Sequence, residues 1–269
     1  MDWPVFAHEA MATTFRIAIA GQSARYAGEA AAAAFRELDR LESELSRYVE
    51  TSDIARANRL PRNQSVRIGD DALACLLLGA NLSAATGGAF DVAFASSAAP
   101  GDTDGIRFAL DPATHLLTSL ADRLRLDLGA IGKGYALDRM ADILRDWEAE
   151  AACLDAGGST VLALGAPPGA AGWPIGIADS VRPAAHRAAS ASGVAVLGPH
   201  LIDPRTARAA KRTTRVWSFA PEAAAADALS TAFFVWKDAE VAAFCAGHPE
   251  YGAVLTRRKG AAVWHGATV

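Results

Sequence analysis

Along the 269 residues, the spacing of apolar positions changes period several times, and each change marks an element. Ala12 to Ala20 alternates as a strand does, and Gln22 to Leu45 then carries Ala31, Ala34, Phe35, Leu38, Leu41 and Leu45 at helical spacing. A polar loop, Ser46 to Asp53, leads to a short helix ending at Asn58, a strand at Val66 to Ile68, and a helix from Asp70 to Ala85 that stops at Thr86-Gly87-Gly88. Ala93 to Gly105, rich in Ala, Ser, Gly and Asp, has no period and reads as a linker or mobile loop. Arg107 to Leu110 and Leu116 to Ser119, on either side of Asp111-Pro112, predict a hairpin.

The strand-like alternation Leu124, Leu126, Leu128 then runs into LDLGAIGKGYALD (Leu126 to Asp138), so the glycine-rich centre falls on a strand-to-helix turn ahead of a helix from Tyr135 to Glu148. Strands follow at Ala151 to Leu154, Thr160 to Leu164, Pro174 to Ala178 and, irregularly, Arg187 to Leu197. The tail predicts a strand at Arg215 to Phe219, helices at Pro221 to Trp236 and Asp238 to Ala246, and strands at Ala253 to Thr256 and Ala261 to Trp264. Antiparallel-looking runs of strands punctuated by single helices are α+β order rather than strict βαβ alternation.

Composition narrows the function classes. A 51% hydrophobic chain of this length supports a full core in one large domain or two intimately packed halves. A net charge of -4 with no basic runs argues against nucleic-acid and anionic-membrane partners. Cys75, Cys153 and Cys245 lie far apart with no C-x-x-C pair, as a reducing compartment tolerates. The N-terminal MDWPVFAHEAMATTF carries no export or lipid-anchor pattern, and the longest apolar run is too short to span a bilayer, so a cytoplasmic location is expected.

Strand-to-helix turns of the Gly129 to Gly134 kind bind phosphates: glycines admit a ligand, the first helical N–H groups point at it, and Lys133 supplies a cation. Only four of the 26 basic residues are lysines, which makes this one less ordinary. The spacing is neither a P-loop nor G-x-G-x-x-G, and a tight connection with a solvated lysine accounts for it equally well. Asp227 and Thr231 stand four residues apart on a predicted helix, so a carboxylate and a hydroxyl project toward one point and can hold Mg²⁺, with a carbonyl, phosphate or water completing its shell. The alternative is a carboxylate favoured by the helix dipole and a hydroxyl bonded back to its own helix. His200 precedes the Asp203-Pro204 turn at a strand end, and with a reference pKa near ~6.5 it suits removing a proton from a hydroxyl; capping of that turn is its other reading.

Eight blocks in order resemble the ApbE family of flavin transferases, which move FMN from FAD onto a protein Ser or Thr hydroxyl. They are Met11-Ala12-Thr13, LSRYVETSDIARAN (Leu45 to Asn58), TGGAFD (Thr86 to Asp91), LDLGAIGKGYALD, LDAGGS (Leu154 to Ser159), SASG (Ser190 to Gly193), HLIDPRT (His200 to Thr206) and ADALST (Ala226 to Thr231). The resemblance implies an ApbE-like, T-fold-like α+β domain of mostly antiparallel sheets, a single domain over residues 1–269 with two interleaved subregions and a flavin cleft between them. It implies FAD contacts at Met11, Tyr48, Ala89, Phe90, Asp91, Asp127, Lys133 and Leu201. Mg²⁺ would be held by the Ala130 carbonyl, Asp227 and Thr231, with His200 and Asp227 catalytic, AMP as leaving group and an acceptor flavoprotein as partner. The family usually has Gly at Ala12 and Ala207, Asp at Ser159 and Thr at Ala191, is usually exported, and carries a longer, aromatic-containing segment at Ala93 to Gly105. Two other activities remain compatible with these residues: Mg²⁺-dependent FAD hydrolysis to FMN and AMP, and FAD binding without catalysis.

Overall fold

The computed structural model describes residues 3–97, 105–193, 202–210, 214–256 and 261–269. The chain begins with a hairpin, β1 (Val5–Ala10) and β2 (Thr13–Ile19), paired from Val5↔Ala18 to Ala10↔Thr13. The sequence pattern predicted only its second strand. β1 is an edge strand whose first five residues alternate between exposed and half-buried, with only Ala10 buried, so its apolar signal is weak. Met11 and Ala12 form the two-residue loop with φ of 50° and 58°. Positive φ at both central positions is the signature of a type I′ turn, whose twist matches that of the strands.

After α1 (Ala24–Leu45), capped by Ser23, come α2 (Asp53–Ala57), β3 (Ser65–Arg67), α3 (Asp70–Ala85) and the hairpin β4 (Phe108–Asp111) and β5 (Leu116–Ser119). Then follow α4 (Gly132–Asp146), β6 (Ala152–Ala156), β7 (Thr160–Ala163), the hairpin β8 (Trp173–Ile177) and β9 (Ser180–Ala184), and β10 (Arg187–Ser192). β9 escaped the pattern because four of its five residues are exposed and one is proline. The described chain ends with the short pair β11 (Ile202–Asp203) and β12 (Arg208–Ala209), β13 (Val216–Ala220), α5 (Ala223–Val235), α6 (Asp238–Gly247), β14 (Gly252–Leu255) and β15 (Val263–Gly266). The expected linker lies partly outside the described residues, over 98–104; Ala93 is buried and Ser97 makes a bridge to Arg123.

Eight strands form one sheet in the order β1-β2-β6-β7-β10-β13-β14-β15, antiparallel at every pairing; β3-β5-β4 make a second. This is the α+β architecture expected. Period-two alternation gives the large sheet two faces. Val216 and Ala220 of β13 pack toward α1, α4 and α5, whereas Trp217 and Phe219 face the opposite way, into a smaller core with Trp173, Ile175 and Ile177 of β8. On the helix-facing side, Thr160, Ser190, Ser192 and Ser218 replace the aliphatic residues usual there, and they form a buried polar seam beneath α5.

Two helices meet unusually closely above that seam. A Cβ placed on Gly134 of α4 would lie 2.2 Å from the Ala223 carbonyl oxygen and 2.7 Å from Ala224 Cα at the start of α5. Asp138, one turn further along α4, accepts the Ala223 and Ala224 N–H groups at 2.7 and 2.8 Å, satisfying donors that the first turn of α5 leaves free. Among the described residues no helix is long and apolar enough to cross a membrane.

Candidate active site

The glycine-rich motif starts the helix earlier than predicted, at Gly132 rather than Tyr135, because Gly132 N–H already bonds the Leu128 carbonyl at 2.6 Å and Tyr135 N–H that of Ile131 at 2.9 Å. Before it, Leu124, Leu126 and Leu128 are buried as their alternation requires, but the segment joins no sheet ladder. Asn58 takes the place of a neighbouring strand: its side-chain amide donates to the Leu126 carbonyl at 2.9 Å and its oxygen accepts Leu126 N–H at 2.6 Å. Asp127 N–H donates to the Val92 carbonyl at 2.8 Å. The motif is thus tied to two distant stretches, the end of α2 and the segment after α3.

The second of these carries TGGAFD. Thr86 is buried, with its hydroxyl on the Leu82 carbonyl at 2.7 Å and accepting Phe90 N–H at 3.2 Å. Gly87 and Gly88 take φ of 55° and 76°, and Gly88 N–H reaches back to the Ser83 carbonyl, a helix-ending turn that glycine makes without strain. The reversal puts Ala89, Phe90 and Asp91 opposite the glycine turn.

A cavity of about 440 Å³ results, walled by Ala89, Phe90 and Asp91 on one side, by Asp127, Gly129, Ala130 and Lys133 on another, and by Asp227 and Thr231 of α5. A second, of about 470 Å³, is lined by Met11, Leu45, Tyr48 and Leu128, and shares Arg47, Asp127, Gly129 and Lys133 with the first. Every predicted site residue within the described chain therefore lines one or the other; His200 and Leu201 lie outside the described residues. Ser159 and Ala191, two of the positions that depart from the family pattern, also face the first cavity. The other two, Ala12 and Ala207, adopt φ of 58° and 54°, the left-handed region that favours glycine.

Arg47 joins the two cavities. One guanidinium nitrogen lies 3.1 Å from Asp127 Oδ2, another 2.6 Å from the Tyr48 hydroxyl, and the group sits over the Tyr48 ring at 4.8 Å. Sequence reasoning gave Arg47 no role, although it lies inside a matching block, between the helix end and Tyr48. Asp127 also accepts Gly129 N–H at 2.9 Å through Oδ1, which fixes the first bend of the turn.

Asp227 is 5% exposed and held at both oxygens. Oδ2 faces Lys133 Nζ at 3.4 Å and Gly134 N–H at 3.3 Å, while Oδ1 faces the Thr160 and Ser190 hydroxyls at 3.2 and 3.3 Å. Lys133 Nζ also donates to the Gly129 carbonyl at 3.1 Å. The expectation that all three motif glycines make room for a ligand needs amending, since Gly134 makes room for α5. Among the described residues no three His, Cys, Asp or Glu side chains cluster as a metal site. Asp227, Thr231 and Ala130 nevertheless line one cavity, and the carboxylate, hydroxyl and backbone carbonyl they carry make an all-oxygen, one-carboxylate set that suits a hard cation keeping phosphate and water ligands.

A family model described as the ApbE family matches residues 11–255. Among solved structures, the flavin transferase ApbE from Vibrio cholerae superposes with a TM-score of 0.82 at 19% identity, over 98% of this chain and 97% of that one. The apo form of Pseudomonas stutzeri flavinyl transferase ApbE gives 0.80 at 21% identity over 100% and 98%. The ApbE protein from Thermotoga maritima gives 0.80 at 23% identity over 98% and 97%. No protein of curated function matches the chain.

Proposed function

The chain belongs to the ApbE family, and we propose that it is a flavin transferase that moves FMN from FAD to a Thr or Ser hydroxyl of an acceptor flavoprotein. The observation that carries this reading is the convergence on one cavity of Lys133, Asp227 and Thr231 from two helices and of Ala130 from the turn before the first of them, with Phe90 and Asp91 opposite. The adjoining Met11 and Tyr48 cavity offers the flavin ring an apolar and an aromatic face. Together the two cavities are of the size that small-molecule sites occupy.

In the proposed reaction the acceptor hydroxyl oxygen attacks the FMN phosphorus. A new P–O ester bond forms, the bond from that phosphorus to the bridging oxygen breaks, and AMP leaves with the bridging oxygen and its electron pair. His200 or a nearby carboxylate takes the hydroxyl proton. Lys133 moves its ammonium from Asp227 to the phosphate oxygens, and Asp127 with Arg47 fixes the turn beneath them. Asp227, Thr231 and the Ala130 carbonyl would hold Mg²⁺, which when bound would offset the charge building on the phosphates.

Incubating the protein with FAD, Mg²⁺ and a series of Thr- and Ser-containing peptides, followed by intact-mass measurement, tests the reading. Peptide carrying FMN and an equal amount of AMP is the expected result. FMN and AMP released in equal amounts with no modified peptide would make it a hydrolase instead.

A further inference from the structure

Asp227 meets donors of two different kinds on its two oxygens, and only one of them belongs to the cavity. Lys133, beside Oδ2, lines both cavities; Thr160 and Ser190, beside Oδ1, are fully buried and line neither. The carboxylate therefore turns one oxygen outward and the other into the protein.

Thr160 and Ser190 are directly opposed across β7 and β10, a register that places both side chains on the helix-facing side. Their hydroxyls are 2.9 Å apart, and each is within 3.3 Å of Oδ1. Each hydroxyl has one proton, so the pair can bond together while at least one proton points at Oδ1. Neighbouring hydroxyls are already occupied. Ser230 donates to the Asp227 carbonyl at 2.8 Å, and Ser192 pairs with Ser230 at 2.8 Å. The seam thus fixes both the backbone and the inner oxygen of Asp227.

We infer that Thr160 and Ser190 are positioning residues that make Asp227 a one-oxygen metal ligand and so bias the site toward Mg²⁺ over Ca²⁺. The inference rests on the metal role proposed above for Asp227. Mg²⁺ accepts single oxygens in a tight octahedral shell, whereas Ca²⁺ takes more ligands at longer range and commonly draws both oxygens of one carboxylate. An inner oxygen committed to hydroxyl donors withholds the second ligand that would favour the larger ion.

The test compares wild type with the Thr160→Val/Ser190→Ala double variant, titrating Mg²⁺ and Ca²⁺ separately in the presence of FAD and reading affinity from thermal shift. The double variant is expected to lose about tenfold in the ratio of Mg²⁺ to Ca²⁺ affinity, through tighter Ca²⁺ binding at the freed oxygen. Thr160→Ala/Ser190→Ala, which also removes both donors to Oδ1 but buries no extra methyl, moves the ratio in the same direction and serves if the first double variant fails to fold. Thr160→Ser, which keeps the hydroxyl, retains the wild-type ratio. A wild type that binds Mg²⁺ while the hydroxyl-deleted variants keep its ratio overturns the inference and leaves the metal site standing. A wild type whose melting temperature responds to neither cation overturns both.

Discussion

Lys133 and Asp227 are each other's counter-charge in the cleft: the ammonium stands 3.4 Å from Oδ2, in a place where only 20% and 7% of the two side chains are exposed. The two groups proposed to meet phosphate and cation thus neutralise one another. For Lys133→Met this predicts two separable effects. The FAD-free protein loses a partly buried ion pair, about 1 kcal/mol, since Gly134 N–H and the two hydroxyls still hold Asp227. FAD affinity falls by roughly ten- to a hundredfold with the charge-assisted contact, so the FAD-induced rise in melting temperature shrinks as well. Thermal shifts of both proteins, with and without excess FAD and Mg²⁺, measure both; an unaltered FAD-induced shift would leave Lys133 a structural residue only.

Gly134→Ala should destabilise the fold by about 2 kcal/mol or more, because the added methyl meets the Ala223 carbonyl, rigid backbone rather than a yielding side chain. Urea unfolding reads it directly. A loss below about 0.5 kcal/mol would mean that α4 and α5 separate at little cost.

Ala12→Gly runs against the usual cost of glycine. At φ of 58°, relief of left-handed strain outweighs the added freedom of the unfolded chain, and a gain of about 0.5–1 kcal/mol is expected, read as a higher melting temperature. A lower one would show that the β1–β2 turn holds alanine without strain.

Asp138 gives the fold a dependence on pH. Burial is the largest influence on its carboxyl and pushes it up to about 6, against the lowering effect of the Ala224 and Ala223 N–H groups. The folded protein therefore holds this proton more tightly than the unfolded chain does. The resulting stability is fully present below about pH 4 and is lost as pH rises to about 6, an amplitude of up to about 3 kcal/mol. Asp138→Asn should remove that slope, so unfolding free energies of both proteins across pH 4–7 ought to diverge; parallel curves would place the titration elsewhere.

The sequence shows more of the fold than of what holds its site together. Leu124, Leu126 and Leu128 announced their burial by alternation, yet Asn58, which replaces their missing strand partner, lies 68 residues from Leu126 and has no periodic signal. The i, i+4 spacing of Asp227 and Thr231 brought both to one cavity, while the hydroxyls behind Asp227 come from two strands whose register no local pattern reveals. Gly134 looked like a ligand glycine because close approach to a phosphate and close approach to another helix demand the same residue. The edge strands β1 and β9 were weakest in apolar signal because so much of each faces solvent.

The measurement that bears most directly on the proposed chemistry is the turnover of FAD by Asp227→Ala at saturating Mg²⁺, alongside its FAD affinity. Most of the cavity wall is contributed by other residues, so FAD should still bind within about tenfold of wild type, while release of AMP falls by orders of magnitude with the loss of a ligand to a charge-neutralising ion. An Asp227→Ala protein that releases AMP at the wild-type rate would contradict the account.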